Sequence, residues 1–213
     1  PESELLRSFC EQCRAHGLDL SRALVFIDTL HPVFEGRGFR WSDENPSEDE
    51  VFEYGSSSIG EAAENWRRSV FYHMLERGLA EVSLDLASPD VDAFALMADL
   101  AAKGHKHVVA FVHRFGEAGT IGQMDCLYSF WLTRRAEGFD EHHLAMLRDV
   151  VPVLGLAVKS AAHAHIARTV GRVYLGRDAA EQVMQGRISR GATSRINAVL
   201  WFSDLRQSTA IAE

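Results

Sequence analysis

The chain has 213 residues, 46% of them hydrophobic and 24% charged, proportions expected of a soluble globular domain with an extension. A formal charge of −8 and a pI of about 5.7 argue against nucleic acid or an anionic membrane as a broad partner, because the summed field repels phosphate. Three cysteines are sparse and odd in number, as expected of reduced thiols in a cytosol. No run approaches the roughly 20 apolar residues that span a bilayer. The acidic start Pro1-Glu2-Ser3-Glu4 has no apolar signal core behind it, so a cytoplasmic location is expected. A start at Pro1 rather than Met, and an end at Glu213 inside an unfinished pattern, read as a piece of a longer chain.

Leu5, Leu6, Phe9 and Cys13 fall at helical spacing, and Gly17 closes that run. Residues 22–30 (RALVFIDTL) read as a buried strand, followed by strands at 37–42 and 50–54. The polar stretch Ser42–Glu48, with Pro46 and acidic residues, separates the last two. Ser58–Glu64 suggests a helical turn. Ser69 caps a helix that aligns Val70, Phe71, Met74 and Leu75, and Gly78 ends it. Ala80–Leu86 alternates as a strand does, a helix over 91–103 stops at Gly104, and strong strands follow at His107–Phe115 and Thr120–Thr133. This order predicts an α+β domain with a mostly antiparallel central sheet flanked by helices.

A long helix begins near Asp140. Its Leu147, Val151, Leu154, Val158 and Ala161 recur at spacings of four and three, the seam of a coiled coil. The stripe fits packing on the chain's own sheet, a homodimer through the 140–170 helix, or both on different faces. Pro152 lies inside it and predicts a kink or break near Arg148–Asp149.

Ten histidines invite a metal site, but none form the i, i+4 pair of a helical one. His105 and His107 share a strand face, whereas His142-His143 and His163…His165 do not align on one helical stripe. Cys10 and Cys13 offer half a tetrahedral zinc site, or two small core or surface residues. Gly116–Gly119 reads as a hairpin turn and not a phosphate loop, since no helix with Lys-Ser/Thr follows it. No nucleophile–base constellation favours a hydrolase-like enzyme.

The element order over 1–165, with Gly138-Phe139-Asp140-Glu141…Leu144…Leu147…Val151…Leu154…Ala157 opening the last helix, resembles a GAF-type sensor domain. The resemblance implies a small-molecule pocket on one sheet face, under loops and short helices. Arg37, Arg40, Trp41, Trp66 and His113 are candidates for its lining, with core or surface packing the alternative for each. A bilin is disfavoured, because Cys126 precedes Leu127 in a strand and the attachment signature is a Cys followed by His in a loop.

Residues 196–213, INAVLWFSDLRQSTAIAE, resemble the first strand and turn of a class III adenylyl or guanylyl cyclase. Phe202, Ser203, Asp204, Leu205, Ser208 and Thr209 match that pattern, while Gln207 replaces its usual glycine. The segment Val173–Asp178…Ile188–Gly191 is similar to the transducing element that precedes bacterial cyclase domains. The implied organisation is a sensor at 1–165, a helical linker at 166–195 and the start of a catalytic domain at 196–213.

The resemblance implies Asp204 as a metal-binding catalytic aspartate of the complete enzyme, with the Leu205 carbonyl as a neighbouring ligand of Mg²⁺ or Mn²⁺. An N-cap role for Asp204 is the alternative. The other catalytic residues lie downstream in that family, so these 213 residues are not expected to turn ATP into cyclic AMP alone. The residues leave three functions open: control of a cyclase by altered dimer geometry, a stand-alone module for a cyclic nucleotide or other metabolite, and a purely structural dimerisation domain.

Overall fold

The computed structural model describes residues 2–31, 33–44, 50–94, 96–116, 126–189, 199 and 201–202. In chain order the elements are α1 (Glu2–Ala15), β1 (Arg22–Asp28), β2 (Gly36–Ser42), β3 (Glu50–Tyr54), α2 (Gly60–Arg67) and α3 (Val70–Glu76). Then come β4 (Glu81–Asp85), a 3₁₀ turn (Pro89–Ala93), α4 (Met97–Ala102), β5 (His107–Arg114), β6 (Cys126–Thr133), α5 (Glu141–Leu175) and α6 (Arg177–Met184). The strands form one sheet in the order β3-β2-β1-β6-β5-β4, with every neighbouring pair antiparallel. This is the expected α+β architecture.

The pleat sends alternate side chains to two separate cores. On one face Val25, Ile27, Phe39, Trp41, Val109, Phe111, Leu127 and Trp131 pack with Leu6 and Cys10 of α1 and with Leu147, Val151, Leu154 and Val158 of α5. On the other, Leu24, Val108, Ala110, Val112, Tyr128 and Phe130 pack with Val70, Phe71 and Met74 of α3 and with Met97 and Leu100 of α4. Covered on both sides, β6 is buried along its whole length, which explains its nearly unbroken apolar sequence.

Local chemistry sets the helix ends. The Ser69 hydroxyl accepts the Tyr72 N–H at 3.0 Å to start α3. Asp140 accepts the His143 N–H at 2.9 Å, and the His143 ring takes the Asp140 N–H at 3.3 Å, closing a capping box. In α1 the buried stripe is Glu2, Leu6, Cys10 and Cys13, while Leu5 is exposed. Burial pushes the Cys13 thiol up to about 11, so it stays protonated and behaves as a small core residue.

Two expectations are corrected, and of the readings of the α5 stripe the packing on its own sheet holds. The predicted helix over 91–103 is a 3₁₀ turn and a short α4, divided at Leu96, whose φ of 78° is left-handed and cannot continue a right-handed helix. The helix α5 continues through Pro152 as one element, so the expected break is absent: proline removes one backbone donor there, and buried residues on both sides of it hold the helix to the sheet. The stripe of α5 lies inside the core and drifts to Ala162 and Ile166 beyond Val158, leaving Ala161 half-buried, as a 3.6-residue turn requires.

By length and composition α5 is also long and apolar enough to cross a membrane, contrary to the expectation that no run comes near it: an 18-residue window has mean hydropathy 1.4, with one third of it buried. Alanines and valines raise that mean, and core helices share the property. The strand predicted at 107–115 occurs as β5 and the part of 120–133 from Cys126 onward as β6, while residues 117–125, with the predicted turn and the start of that strand, lie outside the described residues, as do Pro46 and Glu48.

His105 ties the residues that lead into β1 and β5 to the end of β6, all at one end of the sheet. Only 2% exposed, its Nδ1 lies 2.8 Å from the Ser21 hydroxyl, which donates to the Leu132 carbonyl at 3.1 Å. Ser21 therefore accepts from a protonated Nδ1. Burial, then the nearby Arg134 and Arg22, lowers the His105 pKa to about 4.

The unfolded chain then binds this proton more readily, so the stability His105 confers is complete above about pH 6.5 and falls as pH drops towards 4. Urea unfolding at pH 5 should show about 2 kcal/mol less stability on its account than at pH 7. The variant His105→Gln should flatten that slope without abolishing it, because burial pushes His107 and His113 the same way.

Candidate functional site

The second face opens into a cavity of about 400 Å³, within the size range of small-molecule pockets. Phe26, Phe52, Tyr54, Trp66, Phe71, Tyr128 and Phe130 line it, with Asp28, Glu35, Ser57, Asn65 and Ser69 as the main polar groups. The rings form a connected wall. Phe26 meets Phe52 at 5.9 Å and Phe71 at 5.9 Å, Phe71 meets Tyr128 at 5.2 Å and stacks on Phe130 at 4.2 Å, and Tyr128 meets Trp66 at 5.7 Å. Such offset and edge-on contacts stabilise beyond the area they bury.

Two cross-strand rows build the wall. In one, Asp28 of β1 pairs with Gly36 of β2, which pairs with Tyr54 of β3. In the next, Phe26 pairs with Gly38, which pairs with Phe52. A Cβ at Gly36 would run into the Tyr54 ring, and one at Gly38 into the Phe52 ring. The bare backbone of β2 thus lets both rings lie across it. Tyr54 reaches over β2 and donates to Asp28 Oδ1 at 2.9 Å. Burial and then the Asp28 charge push the Tyr54 pKa far up, so the phenol remains a donor at any ordinary pH.

Glu35 forms the second polar pole. Its carboxylate accepts the Ser57 N–H at 2.6 Å and the Ser57 hydroxyl, pinning the segment after β3 to the start of β2. The backbone adds two bonds there, Glu35 N–H to the Tyr54 carbonyl at 2.9 Å and Thr29 N–H to the Glu35 carbonyl at 2.8 Å. Both carboxylates therefore sit at one end of the sheet, beside the aromatic wall.

The residues named from the sequence do not converge. Trp66 lines the cavity. Arg37 lies on the opposite face, where it pairs with Glu2 of α1 at 2.7 Å. Trp41 is buried on that same face with α1 and α5, under the Arg14 guanidinium at 5.8 Å. His113 follows Phe111 on that face, 5.7 Å from its ring. Arg40 is on the cavity side of the sheet, beside Leu24, but is not among the lining residues. Asp204 and Leu205 lie outside the described residues, and Trp201 and Phe202 just before them are exposed.

A different signal marks the lining residues in the sequence. Phe26-x-Asp28, Gly36-x-Gly38, Phe52-x-Tyr54 and Tyr128-x-Phe130 each repeat at the two-residue period of one strand face. The basic groups and tryptophan of the β2 segment are the more conspicuous residue types, yet three of the five residues expected to line the pocket fall on the wrong side of the pleat.

A solved GAF domain of a two-component sensor histidine kinase from Bacillus halodurans superposes with a TM-score of 0.51, at 11% identity, over 76% of this chain and 96% of that one. The chain has a GAF fold. A GAF domain/HD domain protein from Geobacter sulfurreducens aligns at 14% identity over 77% of this chain and 95% of that one, with a TM-score of 0.44. No family model matches the sequence, and no curated protein does. In this GAF fold the cavity lies on the sheet face covered by short helices, and the long α5 lies on the other.

The glycine rows generate a stability prediction. Gly38→Ala should drive the Phe52 ring off β2 into the cavity and lower unfolding stability by roughly 1–3 kcal/mol. At Gly55 an added Cβ would meet no atom within 4 Å, so Gly55→Ala should stay within about 0.5 kcal/mol of the parent. Thermal melts of the two variants beside the parent check this.

Proposed function

We propose that the chain is a small-molecule sensor that controls a class III nucleotide cyclase, an adenylate cyclase in the complete protein. The observation that carries the sensing part is the aromatic cavity of about 400 Å³ on one face of a GAF fold. The cyclase part is supported by the resemblance of residues 196–213 to the first catalytic strand. In this reading the sensor works in the cytoplasm and passes its state along α5 and α6 towards that strand.

A homodimer through the 140–170 helix is part of the proposal. Its original seam is occupied by the core, so a partner helix would meet the outer face. There Val153 and Leu156 are each 66% exposed, and Ser160, Ala164 and Ala167 continue outward at spacings a helical partner can use. Sedimentation equilibrium should give the mass of two chains at tens of micromolar, and Leu156→Glu should restore the single-chain mass. A single-chain mass for the parent at high micromolar concentration rejects the dimer.

The metal part rests on donor chemistry. An Asp204 carboxylate and a Leu205 carbonyl are hard oxygen donors suited to Mg²⁺ or Mn²⁺, but two are fewer than the six such ions take. Among the described residues no group of three His, Cys, Asp or Glu side chains is placed to hold a metal. A metal would there polarise phosphate oxygens, and Asp204 would help to hold it once further ligands are supplied. In the full-length gene product, cyclic AMP formation from ATP with Mn²⁺ should fall at least 100-fold in Asp204→Asn, in line with loss of a metal-ligand or catalytic carboxylate. A full-length parent that forms no cyclic nucleotide rejects the cyclase assignment and leaves the sensing cavity standing.

A further inference from the structure

We infer that the cavity takes an organic cation, an ammonium or amidinium group on a compact apolar body, and excludes phosphate- and carboxylate-bearing ligands. This rests on the proposed reading of the cavity as a ligand site and names the class of ligand.

The charge of the lining is one-sided. Asp28 and Glu35 are its charged groups, and neither Lys, Arg nor His is among the described lining residues. The donors nearest to those acids are turned onto them: the Tyr54 hydroxyl on Asp28, and the Ser57 N–H and hydroxyl on Glu35. Each Glu35 carboxylate oxygen keeps acceptor capacity beyond its bond to Ser57. A ligand that brings N–H donors and positive charge finds matched partners there.

The aromatic wall works in the same direction. Ring faces carry the negative end of a quadrupole and attract a cation within about 6 Å, while their edges and area hold an apolar body. An anion would meet two carboxylates and ring faces in a partly desolvated site, with like charges facing one another and no Lys, Arg or His among the described lining residues to offset them. A phosphate, including that of a cyclic nucleotide, is the wrong ligand for this lining.

Three probes of nearly equal shape separate charge from size: 2-phenylethylamine, 2-phenylethanol and 3-phenylpropionate, with cyclic AMP as the phosphate probe. Calorimetric titration of the 213-residue chain at pH 7 should give the amine about tenfold or more tighter binding than the alcohol, the magnitude of one charged hydrogen bond. The carboxylate and cyclic AMP should not bind. In the double variant Asp28→Asn with Glu35→Gln, the amine should fall to within about twofold of the alcohol, in keeping with loss of that charged bond. Retained alcohol binding shows that the variant is folded.

Equal affinity for amine and alcohol in the parent overturns the cation assignment while leaving the cavity a binding site. Preferred binding of 3-phenylpropionate or cyclic AMP overturns it too, as does an amine preference that survives in the double variant. Failure of all four probes to bind the parent overturns the ligand-site reading itself.

Discussion

Two missing side chains govern what this fold can hold. Gly36 and Gly38 leave a bare strip of backbone on the cavity face of β2, and the rings of Tyr54 and Phe52 fill it. Only because β2 is bare can Tyr54, on β3, reach Asp28 on β1 with a 2.9 Å hydrogen bond. The same arrangement brings Phe26 within 5.9 Å of Phe52 across the intervening strand. Side chains at these two positions would fill the floor of the cavity or push both rings into it, and the polar pole at Asp28 would lose its cover.

The opposite face is governed by helix packing. There α1 and α5 cover the alternate residues of the same strands, with Trp41 and Trp131 among the most deeply buried side chains. Ionic contacts hold the layers at their edges: Arg37 to Glu2 at 2.7 Å, and the fork of Arg148 on both oxygens of Glu81 at 2.7 and 2.9 Å. The second is exposed and adds little stability by itself, and it ties the solvent side of α5 to the edge strand β4 with two parallel bonds. The buried apolar stripe from Leu147 to Ile166 supplies the attraction.

The architecture was legible wherever local chemistry and burial agree. The Ser69 and Asp140 caps, the glycines that end helices, and the alternation in β5 and β6 all mark their elements in sequence. Leu96 carries no such mark, because a leucine in the left-handed region is set by its surroundings and not by its own preference. The stripe of α5 was visible, but spacings of three and four are common to a dimer seam and to a helix on its own sheet. The expected lining departs from the cavity's lining for a related reason. Arg37 and Trp41 stand out by residue type, whereas the side of the pleat they occupy is decided by parity with Phe39, a core residue on the α1 face. Asp28 and Glu35 became significant only once register placed them beside Tyr54 and Ser57.

β6 is backbone common to the cavity and to the core under α5. Tyr128 and Phe130 border the cavity, and their chain neighbours Leu127 and Trp131 lie in the core shared with α5. The distance between the two environments is therefore a single peptide unit, rigid by resonance. A shift of the Tyr128 backbone is shared by Leu127 across that unit and is damped by the φ and ψ rotations that flank it. Substitutions on either face alter the packing at that face and leave this short backbone link in place.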